Sequence, residues 1–111
     1  MNVETFNLLV EDINQRCRRV LDEKAKQYAT DSTQDRLTQF HRAAAAQGIN
    51  PYEALMGMMT KHYTAIADMV KDPYNFSWAL WTERFTDLHN YFYLLEALTA
   101  DDSGEWVDDA L

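Results

Sequence analysis

Apolar side chains recur every three or four residues along most of the chain, a spacing that places them on one face of an α-helix. The clearest case is the stretch 78–98, whose predicted core stripe is Trp78, Trp81, Phe85, Leu88, Phe92 and Leu95. On the other side of the same helix, Glu83, Asp87 and Asn90 share a polar face. Two interpretations of that face stay open: it is solvated, or it holds a cation between helices.

Three earlier segments show the same periodicity and complete a set of four predicted helices. The first covers residues 3–28, the second covers residues 33–47, and the third begins at Pro51 and ends before Pro73. Four helices joined by short loops predict an all-α, four-helix bundle-like domain over residues 1–100.

Capping residues predict where these helices begin and end. Ser32, with an aspartate three residues later, predicts the start of the second helix, and Gly48 predicts its end. Asn50 followed by Pro51 and a glutamate at the third helical position predicts the start of the third helix. Ser77 is the predicted N-cap of the fourth.

The composition favours a single folded domain in a reducing, cytoplasmic compartment. The chain has 111 residues, and 47% of them are apolar. A lone cysteine, Cys17, lies on the apolar stripe of the first helix and is predicted to be a buried thiol. The first residues lack the features of a secretory signal, and no apolar stretch reaches the roughly 18 residues of a membrane span.

The net charge of −8 is concentrated in the C-terminal segment. Residues 101–111 carry five acidic side chains and no basic one, which predicts an acidic tail after the helical domain. This balance opposes direct binding to nucleic acids and to anionic membranes, because both need clustered lysine and arginine. A small anionic ligand is still compatible with this net negative charge if a metal ion or a few nearby cationic side chains offset the electrostatic repulsion.

Several polar side chains stand at or near predicted core positions. Lys24 and Tyr28 continue the apolar stripe of the first helix, and His62 lies within the apolar stripe of the third. Arg36 lies near the edge of the inward face of the second helix. Each of them is either a solvated or internally satisfied side chain, or a ligand-binding residue at the mouth of a pocket between helices.

A metal site is the second candidate chemistry. Lys61 and Asp68 lie on the polar flank of the third helix and can converge with the acidic face of the fourth. Carboxylates and an amide are hard oxygen ligands that suit Mg²⁺, which commonly binds through one or two carboxylates and substrate phosphates. The alternative, a solvated acidic face, has equal support from spacing alone.

Four segments together resemble a family of small, mostly uncharacterised bacteriophage and prophage proteins. The segments are K-A-K-Q-Y (24–28), D-R-L-T-Q-F (35–40), P-Y-E-A-L-M-G-M-M-T-K-H (51–62) with I-A-D-M (66–69), and W-T-E-R-F-T-D-L-H-N-Y-F-Y-L-L-E-A-L (81–98). More remotely, the third and fourth helices are similar to the all-α nucleoside triphosphate pyrophosphatases of the MazG and dimeric dUTPase type and to the phage nucleotide-modification-associated domain. Those relatives bind Mg²⁺ through acidic side chains on two helices and assemble as dimers or tetramers.

The resemblance implies roles for five residues. Glu83 and Asp87 would be the catalytic metal ligands. Asp68, a further metal-ligand candidate, would lie with Lys61 and Asn90 near the phosphates or the base. The chain departs from the pyrophosphatase pattern, because K-H-Y-T-A-I-A-D stands where those enzymes carry an E-x-x-E pair. A site with so few carboxylates could bind a nucleotide without cleaving it.

Two functional hypotheses follow. The first is a phage-encoded protein in the host cytoplasm that binds a nucleotide or a similar phosphorylated ligand, with Mg²⁺-dependent pyrophosphohydrolase activity as one form. The second is a non-enzymatic accessory protein that counters host defence by sequestering a nucleotide signal or by blocking a host protein through its acidic surface. The large apolar inventory also predicts a homodimer or a higher homo-oligomer.

Overall fold

The computed structural model describes residues 1–29 and 31–108 and confirms the all-helical fold. The helices are α1 (Val3–Tyr28), α2 (Thr38–Gln47), α3 (Pro51–Met69) and α4 (Trp78–Ser103), with a single 3₁₀ turn at Pro73–Asn75. Thr30 of the polar segment before α2, and the last three residues of the predicted acidic tail, lie outside the described residues.

Helix α4 is the central element of the fold, because it packs against both α1 and α3. Helix α2 packs against α3. The radius of gyration is 16.3 Å, whereas a compact chain of this length has about 13 Å. The arrangement is therefore an open array of helices with α1 at one edge. No helix in the described part of the chain is both long and apolar enough to cross a membrane.

The main hydrophobic core lies where α2, α3 and the C-terminal half of α4 meet. Its buried members are Leu37, Phe40, Leu55, Met59 and Leu98. The predicted apolar stripe of α3 is confirmed, since Leu55, Met59 and Met69 are buried. The prediction for Cys17 is also confirmed: its thiol is buried, and burial raises its pKa.

The capping predictions for α3 and α4 are confirmed. The Asn50 side chain accepts a hydrogen bond from the Glu53 backbone N–H at 2.9 Å and donates one to the Glu53 carboxylate at 2.6 Å. Ser77 Oγ accepts from the Leu80 N–H at 3.1 Å. Gly48 ends α2 with φ +69°, a left-handed conformation that glycine adopts without steric cost.

The predicted start of α2 is wrong by five residues, because the helix begins at Thr38 instead of residue 33. Aspartate side chains hold the preceding backbone in turns. Asp31 accepts from the Thr33 N–H at 2.7 Å, and Asp35 accepts from the Leu37 N–H at 2.8 Å. Aspartates that bond the backbone two residues ahead stabilise turns in competition with the helix.

The predicted core face of α4 is also wrong at several positions. Trp78 and Phe92 are 62% and 56% exposed, whereas Thr86 and Asn90 are 4% and 5% exposed. Because α4 packs between α1 and α3, the face with the smaller side chains is the one that is covered. Arg16 of α1 donates to Thr86 Oγ1 at 2.7 Å, so the buried hydroxyl is satisfied.

Candidate functional site

Three helices bring ionisable side chains together at one place. Lys24 Nζ of α1 lies 3.8 Å from Asp87 Oδ1 of α4, and His62 Nδ1 of α3 lies 3.7 Å from Asp87 Oδ2. The side chains of His62 and Asp87 are about one-fifth exposed, and that of Lys24 is 45% exposed. Together with Tyr91, whose ring centroid is 4.9 Å from that of His62, they are called the polar cluster below.

Local structure explains why these residues meet. Lys24 continues the inward stripe of α1, one helical turn after Val20 and two turns after Cys17. His62 lies on the core stripe of α3. Asp87 and Tyr91 are one helical turn apart on the covered face of α4. The polar cluster is therefore built entirely on helices, which hold side-chain positions better than loops do.

Burial lowers the pKa of His62 below its ordinary value of 6.5. The nearby Asp87 carboxylate opposes that shift, and three cations reinforce it: Lys24, Lys61 and Arg84. His62 is thus a neutral imidazole at neutral pH, with one acceptor nitrogen and one N–H donor. Among the charged groups that shift the pKa of His62, three are cations and one is a carboxylate, although the chain as a whole is acidic.

Two tyrosines and an arginine extend the site away from His62. Burial raises the pKa of Tyr91, and Asp87 and then Tyr28 raise it further. The Arg36 guanidinium carbon lies 5.6 Å from the centre of the Tyr28 ring, a cation–π distance. Burial lowers the pKa of Arg36, and its Nη1 is buried without a hydrogen-bond partner in the described part of the chain.

Asn90 is the least satisfied polar side chain near the site. Both Nδ2 and Oδ1 are buried without a hydrogen-bond partner among residues 1–29 and 31–108, and the residue follows Asp87 by three positions on α4. Leaving a buried amide unpaired costs about 1–3 kcal/mol per polar group. An amide retained at such a cost is a candidate for a partner that the isolated chain lacks.

The predicted carboxylate ligands do not assemble with one another. Asp68 is largely exposed, and its carboxylate lies 3.5 Å from Nζ of Lys71, which follows the end of α3. Glu83 is exposed on α4. Among residues 1–29 and 31–108, no group of three or more histidine, cysteine, aspartate or glutamate side chains is placed to hold a metal ion.

The predicted ligand-binding residues are distributed around the polar cluster. Lys24 and His62 belong to it, Tyr28 is coupled electrostatically to Tyr91, and Arg36 packs on Tyr28. Lys61 is exposed and acts on His62 through its charge.

Three contributors were not singled out from the sequence: Tyr91, Arg84 and Arg16. Tyr91 and Arg84 stand four residues after and three residues before Asp87, positions that share its side of a helix. That spacing could have identified them once Asp87 was chosen. Arg16 could not be found this way, because its partner Thr86 is 70 residues away.

Comparisons of the chain with models of protein families, with curated proteins and with solved structures find no match.

Proposed function

We propose that the polar cluster binds a phosphorylated ligand of the nucleotide class. The observation that carries this proposal is the local charge around His62. Lys24, Lys61 and Arg84 act on this imidazole against the single carboxylate of Asp87, within a chain of net charge −8. Cationic side chains gathered in this way attract anions, and a partly covered site strengthens the attraction relative to bulk water.

The donors of the cluster suit phosphate oxygens. Lys24 is the most exposed member and carries three N–H donors, so its ammonium is the group that a phosphate reaches first. The two oxygens of the Asp87 carboxylate lie beside Lys24 and His62, one oxygen next to each side chain. Neutral His62 adds one donor without adding a further charge to desolvate.

The aromatic side chains supply a second class of contact. The Tyr28 ring is half-exposed, and the Tyr91 ring packs on His62. Stacking of a base on an aromatic ring contributes about 1–3 kcal/mol per base.

Binding without hydrolysis is the form that the contacts support best. Asp87, the predicted catalytic residue that belongs to the polar cluster, already has its carboxylate beside Lys24 and His62. Pyrophosphohydrolysis stays a second proposal. In that case Mg²⁺ would arrive with the ligand phosphates, and Glu83 and Asp87 are the carboxylates that α4 offers it.

A binding role is compatible with the resemblance described above. Phage origin, a location in the host cytoplasm and the sequestration of a nucleotide signal as an anti-defence function are all part of this proposal and rest on that resemblance. A nucleotide-sequestering protein needs tight binding and slow release and requires no turnover.

Self-association is proposed from the exposed apolar side chains. Val3, Phe6 and Val10 lie on one side of the N-terminal half of α1 and are 76%, 54% and 37% exposed, and Trp78 and Phe92 are exposed on α4. Large exposed apolar surfaces mark interaction sites. Light scattering coupled to size-exclusion chromatography tests this proposal: we expect twice the 12.9 kDa chain mass, or a higher multiple of it.

The ligand proposal is tested by a thermal-shift screen against nucleoside mono-, di- and triphosphates and cyclic nucleotides, each with and without Mg²⁺. A ligand that binds only the folded state at a hundredfold excess over Kd stabilises it by about 2.7 kcal/mol. Stabilisation without Mg²⁺ supports binding alone, and release of pyrophosphate only with Mg²⁺ supports the hydrolytic form. A flat response to every compound would contradict both.

A further inference from the structure

A second concave surface lies beyond the polar cluster, along the C-terminal half of α4. One wall is the segment before α2, and the other is the segment that follows α4. The groove has a volume of about 1210 Å³. Its lining includes Asp35, Leu37, Tyr93, Ala97, Asp101 and Trp106. This surface is called the α4 groove.

The floor of the α4 groove is formed by small and apolar side chains. Ala97, Ala100 and Gly104 follow one another at intervals of three and four residues, so they form one line along α4. From Tyr93 to Gly104 this line extends about 16 Å, or three helical turns. Side chains this small let the backbone of a partner approach closely.

Aromatic side chains stand exposed beside this floor. Tyr93 is 49% exposed and Trp106 is 70% exposed, and both line the groove. Tyrosine and tryptophan are enriched among the residues that dominate binding energy at protein interfaces. The groove therefore has apolar anchors at its start and near its end.

The charges around the groove are mainly negative. Asp35, Glu96 and Asp101 line it with exposed carboxylates, whereas the only arginine or lysine lining it among the described residues is Arg36, which is partly buried and packs on Tyr28. Glu96 and Asp101 are five positions apart, about 140° around the helix, so they flank the alanine line on both sides. An apolar occupant with basic side chains on its two flanks would face a carboxylate on each side.

We propose that the α4 groove binds a basic amphipathic helix of a partner protein. The length of the alanine line fits about three turns of such a helix, the apolar floor fits its apolar face, and the carboxylates fit lysine or arginine on both edges. The same carboxylates repel nucleic acid and anionic membranes. This groove contains no member of the polar cluster, although Arg36, which extends the proposed ligand site, also lines it.

The probe for the test is a fluorescein-labelled peptide of about 15 residues, with leucine on one helical face and lysine on the flanks. Fluorescence anisotropy measures its binding to the full chain. We expect saturable binding that weakens as salt concentration rises, and no binding of the matched peptide in which glutamate replaces every lysine. Equal binding of both peptides would overturn the proposal, and so would binding of neither.

Paired variants locate the binding to this groove. The double variant Glu96→Lys/Asp101→Lys should weaken binding by about tenfold or more, a difference of about 1.4 kcal/mol. The control Glu11→Lys/Glu23→Lys makes the same change in net charge on exposed positions of α1 and should leave Kd within about threefold. Equal loss in both double variants would show a nonspecific charge effect and would contradict the proposal.

A second pair of variants tests the groove by filling it. Ala97→Trp should block the floor and lower affinity, whereas Ala79→Trp, at an exposed position near the other end of α4, should not. Circular dichroism and Tm establish that each variant is folded. Chemical-shift changes on adding peptide should concentrate at Ala97 and Ala100, and changes elsewhere with none at these two positions would place the peptide on another surface.

Discussion

The ammonium nitrogen of Lys24 lies 3.8 Å from a carboxylate oxygen of Asp87, and this contact joins the C-terminal part of α1 to the middle of α4. On its other oxygen the same carboxylate lies 3.7 Å from His62 Nδ1 of α3. Asp87 is therefore the residue that ties three helices together at the proposed ligand site. Exposed ion pairs contribute little to stability, so the role of this contact is better tested through the groups that it positions.

Replacing Asp87 should lower the pKa of His62. The carboxylate is the one group that raises this pKa against burial and three neighbouring cations, so Asp87→Asn leaves only the influences that lower it. An NMR titration of the His62 imidazole protons measures the change. The control is Asp68→Asn, because the Asp68 carboxylate pairs with Lys71 and is not among the groups that shift the pKa of His62. This variant should leave the titration of His62 unchanged. An upward shift in Asp87→Asn would show that the charges around His62 are described incorrectly.

His62 should make stability depend on pH below about 6.5. Its folded-state pKa is lowered and its unfolded-state pKa is near 6.5, so between these values the unfolded chain binds more protons. The free energy of unfolding therefore falls as pH drops from about 6.5 through the folded-state pKa, with a slope for this group of at most about 1.4 kcal/mol per pH unit.

Urea unfolding at a series of pH values measures this dependence. His62→Gln should reduce the slope in that window, and the exposed His41→Gln should leave it as in the native chain. Identical slopes in the native chain and in His62→Gln would rule out His62 as the source.

Removing the unpaired amide at position 90 should stabilise the fold. Asn90→Leu replaces two buried polar groups, which have no partner among the described residues, with the same number of apolar heavy atoms, and we expect a gain of about 1 kcal/mol in the free energy of unfolding. Thr86→Val is the contrasting variant: it removes the acceptor for Arg16 and should destabilise by about 1–2 kcal/mol. Destabilisation by Asn90→Leu would mean that the amide is satisfied in the folded chain.

The orientation of α4 is tested by truncating two apolar residues on different faces. Leu98 is fully buried, so Leu98→Ala should cost about 2–5 kcal/mol, whereas Phe92→Ala at a 56% exposed position should cost less than about 1 kcal/mol. Chemical denaturation at low protein concentration measures both. A larger cost at Phe92 than at Leu98 would restore the face predicted from the sequence.

Local signals in the sequence predicted the starts of α3 and α4, but they did not predict the covered face of α4. The Asn50 and Ser77 caps depend on atoms within three residues, so the sequence contains what is needed to identify them. The covered face of α4 depends on where α1 and α3 pack. The aromatic stripe with Trp78 and Phe92 and the face with Thr86 and Asn90 are both possible contact faces for an isolated helix.

The site was predictable in part for a related reason. Lys24 and His62 interrupt apolar stripes, and those stripes predict the inward direction of α1 and α3 without any knowledge of packing. Which carboxylate they meet depends on the register of α4 against both helices. Periodicity alone did not distinguish Asp68, Glu83 and Asp87 as candidate site residues. Of these three, only Asp87 lies beside Lys24 and His62.

Isothermal titration of a nucleotide into matched lysine variants tests the central claim most directly. Lys24→Gln and Lys26→Gln remove the same charge at positions two residues apart on α1, but of these two lysines only Lys24 belongs to the polar cluster. For the nucleotide that gives the largest thermal shift, we expect Lys24→Gln to weaken Kd at least tenfold, about 1.4 kcal/mol, and Lys26→Gln to stay within about threefold. Equal affinities in the two variants would contradict a nucleotide site at the polar cluster.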